Sequence, residues 1–66
     1  MSQHNPTYGK HKLREMIRER VKRQGGTINV VAFSVWLLEQ GYYAKAILDS
    51  QIHLGFKVED GMVSLR

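Results

Sequence analysis

Hydrophobic positions change rhythm three times along the 66 residues. From Lys10 to Gln24 the spacing is helical: Leu13, Met16, Ile17 and Val21 share one face. Arg14, Arg18 and Lys22, four residues apart, take the opposite side. Gly25-Gly26 stops this helix, because glycine adopts the left-handed conformation common at helix C-termini. Val30 to Gln40 is apolar all round, so periodicity does not assign it. The β-branched and aromatic residues between Thr27 and Trp36 favour a strand. Ala32 and Leu37 to Gln40 favour a helix. The preferred reading is a short strand over Thr27–Asn29, then a buried helix from about Val31 to Gln40. The alternative is one central strand from Ile28 to Leu38. Beyond Gly41, Tyr43 to Leu54 reads as a third helix ended by Gly55. Ala44, Ile47, Leu48, Ile52 and Leu54 cluster on one side of it. Lys45, Ala46, Asp49, Ser50 and His53 lie opposite, and Gln51 interrupts the apolar arc.

The final stretch alternates with period two. Asp60-Gly61 is a strong signal for a type I′ turn, which needs positive φ at both central residues. With that pair as the loop, Glu59 faces Met62, Val58 faces Val63, Lys57 faces Ser64 and Phe56 faces Leu65. Phe56, Val58, Val63 and Leu65 then share one face, with Lys57, Glu59 and Ser64 on the other.

Sixty-six residues make one small domain. No cysteine is present, so neither a disulfide nor a thiolate site staples it. Met1 to Gly9 is polar, reads as a flexible tail, and lacks the apolar stretch of a signal peptide. The longest uncharged apolar run, Thr27 to Leu38, has twelve residues, short of the ~18 of a membrane span. The expectation is a soluble, cytoplasmic domain over residues 10–66. Charge is unevenly placed. Residues 1–24 hold seven cations (Lys10, Lys12, Arg14, Arg18, Arg20, Lys22, Arg23) against Glu15 and Glu19, a net +5. Residues 25–66 carry a net −1, from Lys45, Lys57 and Arg66 against Glu39, Asp49, Glu59 and Asp60. A local excess of that kind attracts polyanions or acidic surfaces.

The order helix, strand, helix, turn, helix, hairpin resembles the winged helix-turn-helix superfamily. Four stretches carry the resemblance: Gly26 to Asn29, Leu37 to Gly41, Ala44 to Leu54, and the hairpin from Phe56 to Leu65. The Leu54-Gly55-Phe56 exit is similar to the leucine, glycine, apolar exit of many winged helices. The resemblance implies a small α+β domain of three helices with a short strand and a C-terminal β-hairpin. It also implies double-stranded DNA as partner, with the third helix in the major groove and the hairpin as a wing. Base-edge candidates by position are then Lys45, Asp49, Ser50 and His53, with Asp49 accepting from cytosine. Lys57, Ser64 and Arg66 are candidates at the wing and beyond it. Phosphate contacts position such a protein and base-edge contacts specify sequence. The implied role is a regulator or accessory factor that works by occupying DNA.

Other residues take two readings each. Lys10, Arg14, Arg18 and Lys22 form either a phosphate track or a solvated face in which Glu19 pairs with Arg23. Arg20, inside the apolar arc, either pairs with Asp49 or Glu39 or lays its stem over the core with its head in water. Trp36, Tyr42 and Tyr43 are either core or a protein interface. His4, His11 and His53 do not form a metal-ligand set. Nothing in the chain asks for a cofactor, and no nucleophile–base pair or paired acids suggest an enzyme. The weakly basic third helix and the acidic turn motivate an alternative function. In it the chain is a protein-interaction module or small inhibitor, a homodimer or partner-bound, with no nucleic-acid role.

Overall fold

The computed structural model describes the backbone from Pro6 to Arg66 and the side chains from His11 onward. It is a small α+β domain. The elements run α1 (Pro6–Arg23), β1 (Thr27–Asn29), α2 (Val30–Glu39), α3 (Ala44–Asp49), α4 (Gln51–Leu54), β2 (Phe56–Glu59) and β3 (Met62–Leu65). The three strands form one antiparallel sheet in the order β1-β3-β2. Helix α1 starts at Pro6, so it takes in residues 6–9 that the sequence places in a tail. The rest of that tail, residues 1–5, lies outside the described residues.

The hairpin has the register that the alternation predicts: Phe56 with Leu65, Lys57 with Ser64, Val58 with Val63, Glu59 with Met62. Asp60 and Gly61 have φ of 52° and 74°, as a type I′ turn requires. β1 adds to the free side of β3 through Thr27–Ser64, Ile28–Val63 and Asn29–Met62. The Val30 amide donates to the Gly61 carbonyl at 2.8 Å. The turn therefore ends level with the junction of β1 and α2 and does not project beyond it.

That junction settles the ambiguous stretch as strand then helix, and the single long strand is excluded. Asn29 is the switch. Its Oδ1 accepts from the amides of Val31 at 2.8 Å and Ala32 at 3.3 Å. This is an N-cap, which satisfies donors that a helix start otherwise leaves open. The helix is buried on one side only. Phe33, Trp36 and Leu37 face the core, whereas Val31, Val35 and Leu38 are 66%, 50% and 59% exposed. The expectation of an all-round buried helix fails there.

The expected third helix is also two helices. Ser50, at φ −107° and ψ 21°, separates α3 from α4. Gln51 explains both the break and its own place in the apolar arc. Its Nε2 donates to the Leu48 carbonyl at 3.1 Å, and its Oε1 accepts from the Val58 amide at 3.2 Å. Val58 lies on the edge strand β2, where an outward amide has no ladder partner. The glutamine side chain supplies one.

The core joins Leu13, Ile17 and Val21 of α1 to Ile28, Phe33, Leu37, Leu54, Phe56 and Val63. Phe33 sits at its centre, its ring 5.3 Å from Phe56 and 5.7 Å from Trp36 between centroids. Arg20 pairs with neither Asp49 nor Glu39. Its guanidinium carbon stacks 5.5 Å from the Trp36 ring, and its Nε is buried without a hydrogen-bond partner. The arginine covers the tryptophan, leaving Trp36 only 9% exposed. Among the described residues no helix is long and apolar enough to cross a membrane.

Two substitutions should separate packing from capping. Phe33→Ala removes about 3–5 kcal/mol, comparable with the ~3–5 kcal/mol that a core of this size supplies. The variant should lose its cooperative thermal transition. Asn29→Ala should cost about 1 kcal/mol and keep that transition at a lower urea midpoint. Equal effects by circular dichroism would contradict this assignment.

Candidate nucleic-acid interface

On α1, Arg14 and Arg18 are four residues apart and so stand one above the other. They line a groove of about 450 Å³ whose other walls come from α4, Gly55 and the end of β3, with His11 and Glu15 at its side. Gly55 closes α4 in the left-handed conformation, at φ 81°. Its missing side chain also makes room: a Cβ there would lie 3.3 Å from Arg14 Nη2 and 3.6 Å from Nε. Arg66 enters from the opposite wall. Its backbone amide donates to the Gly55 carbonyl at 3.0 Å, and its Nε donates to the Phe56 carbonyl at 3.0 Å. Arg66 is thus anchored by backbone hydrogen bonds, while the Arg14 guanidinium lies over the space that a side chain at Gly55 would fill, with Arg18 a turn along α1.

Among the described residues, the ion pairs are Lys45–Asp49 at 3.4 Å and Lys57–Glu59 at 3.7 Å. Arg14, Arg18, Lys22 and Arg66 therefore have no carboxylate within 4.0 Å there, and the expected Glu19–Arg23 pair does not form. Lys22 is exposed near the C-terminal end of α1. It lies about 12 Å along the helix axis from Arg14, by the rise per residue. Lys10 belongs to α1 by its backbone, and its side chain lies outside the described ones.

The residues expected to read bases are less well placed. Lys45 is tied to Asp49, although both are largely exposed and the pair is weak. Ser50 is half-buried at the helix break and makes no capping hydrogen bond. His53 is exposed on α4. These four residues do not lie along one continuous helix, because the chain turns at Ser50. Lys57, half-exposed on the outer sheet face, is engaged by Glu59. Ser64 stands between Thr27 and Lys57 on that face.

Of the three aromatic candidates for a protein interface, Trp36 is removed by burial under Arg20. Tyr42 packs half-buried against the core, and Tyr43 is 70% exposed. Sequence reasoning recognised the arginines but not what seats them. Gly55 was legible only as a helix stop, and nothing local to it announces the guanidinium it accommodates. Comparison with protein-family models, with curated proteins and with solved structures returned no match.

The seat of Arg14 is testable by a double-mutant cycle. Gly55→Ala should destabilise by about 1–2 kcal/mol, because alanine at positive φ is strained and its methyl crowds the guanidinium. In an Arg14→Ala background the crowding vanishes and only the backbone strain remains, so the penalty should shrink. Identical penalties in both backgrounds, from urea unfolding, would show that the guanidinium is not seated there.

Proposed function

We propose that the chain is a small winged helix-turn-helix protein that binds double-stranded DNA, and that it grips the phosphate backbone mainly through α1 and Arg66. The element order α1-β1-α2-α3-α4-β2-β3 and the sheet order β1-β3-β2 support the fold reading. One observation carries the functional reading. Arg14, Arg18, Lys22 and Arg66 have no carboxylate within 4.0 Å among the described residues, whereas Lys45 and Lys57 are each engaged by an acid. Cations without a carboxylate partner, one of them anchored by backbone hydrogen bonds, are ready to replace the counterions of a phosphate backbone.

The same distribution of charge argues for modest sequence preference. The interrupted α3–α4 segment offers His53 and a lysine shared with Asp49. The hairpin turn is acidic and ends level with β1. Phosphate contacts fix position without reading sequence. The protein then acts by occupying the duplex, with specificity from few base contacts.

Fluorescence anisotropy with a short labelled duplex tests this. Four phosphate contacts predict log affinity falling against log salt with a slope of about −3 to −4. Replacing Arg14 and Arg18 together by alanine should flatten that slope by about 2. Replacing Lys45, Ser50 and His53 by alanine should leave the slope nearly unchanged and alter only the ranking of sequences. Absence of binding at low salt, or a slope indifferent to Arg14 and Arg18, would reject the proposal.

A further inference from the structure

The outer face of α2 is unlike the rest of the surface. Val31, Val35 and Leu38 are 66%, 50% and 59% exposed, on a helix whose only charged residue is Glu39. Their spacing of four and then three residues is that of a d-a-d seam, the pattern by which one helix packs along another. A run of large aliphatic side chains on so small a domain marks a contact surface. We infer that this face is where a second copy of the chain packs, with the two α2 helices antiparallel about a two-fold axis near Val35.

Charge selects both the occupant and its direction. A helix carries partial positive charge at its N-terminus and partial negative charge at its C-terminus. The first turn of α2 has no acidic residue and its last turn no basic one. Glu39 stands at the negative end, the wrong end for an acid, and has no cation within 4.0 Å among the described residues. An antiparallel second copy corrects both ends at once. Glu39 of each copy lies beside the N-terminal turn of the other helix, and the two dipoles oppose. A parallel pair would instead bring the two Glu39 carboxylates together. In the antiparallel arrangement Val31 meets Leu38 of the second copy and the two Val35 side chains meet at the axis. Such a contact is isologous, as two-fold dimers require.

The seam is about 10 Å long, from the helical rise. It covers less than the ~800 Å² per partner of a standard interface. Association is therefore weak, with a dissociation constant between about 10 μM and 1 mM. The face holds none of the arginines of the α1 groove, so this inference stands or falls independently of the nucleic-acid reading.

Sedimentation equilibrium of the full chain up to about 1 mM should show a monomer–dimer equilibrium. Val35→Glu should raise the dissociation constant at least about 30-fold, and Glu39→Lys about 2–5-fold. Ile52→Glu, at an exposed position on α4, should change it little. The chain has no cysteine, so single cysteines report the geometry under mild oxidation. Val35→Cys should cross-link to itself. Val31→Cys mixed with Leu38→Cys should give the mixed disulfide in preference to either self-pair. A wild-type chain that stays monomeric throughout overturns the inference, as does a dimer indifferent to Val35→Glu. Preferential self-pairing of Val31→Cys and of Leu38→Cys overturns the antiparallel arrangement.

Discussion

Phe33 ties the helices to the sheet. It belongs to α2, yet its ring sits against Phe56 of β2 and beside Trp36 one turn on, and it is fully buried. In a domain of 66 residues little apolar surface can be hidden, so the few fully buried side chains must each touch several elements. Phe56 and Val63 do so from the sheet, and Ile17 and Val21 from α1. The orientation of Phe33 depends in turn on where α2 begins. Asn29 caps the helix, the Val30 amide is taken by Gly61, and Phe33 follows one turn later. A shift of that start by one residue would rotate the ring about 100° away from the sheet.

The same economy shapes the polar groups. Gln51 serves Leu48 and the edge of β2 with one side chain, at the expense of a continuous α3–α4 helix. Arg66 holds Gly55 and Phe56 while its remaining guanidinium donors stay near the groove. Gly55 reverses the chain and makes room for Arg14. The basic groove is thus a by-product of how the last helix hands over to the hairpin. Its cations have no carboxylate within 4.0 Å among the described residues, whereas Asp49 and Glu59 are engaged by nearby lysines.

Much of this was legible in the sequence where local rules are strong. The hairpin register followed from Asp60-Gly61 and the alternation around it, since turn geometry and burial demand the same pairing. The i, i+4 stripe of α1 followed from helical periodicity. The strand-to-helix change after Asn29 is readable as the preferred alternative, but the capping role of the asparagine, itself the last residue of β1, is not marked by the apolar pattern around it. What stayed hidden depended on contacts between distant residues. The break at Ser50 comes from an edge-strand amide seven residues after Gln51. Trp36, a candidate for an interface, is covered by Arg20 from another helix, which no spacing within either helix reveals. An apolar run does not show which of its faces will be left in water. Thus the outer valines and leucine of α2 read as core.

The central functional claim is that the duplex meets α1 and Arg66, not the α3–α4 segment. Chemical-shift perturbation during titration with a short duplex at low salt tests it most directly. The largest changes are expected at the amides of Arg14, Arg18, Lys22, Gly55 and Arg66 and at the arginine Nε–H groups, with small changes from Lys45 to His53. Changes concentrated from Lys45 to His53, with α1 unmoved, would contradict it.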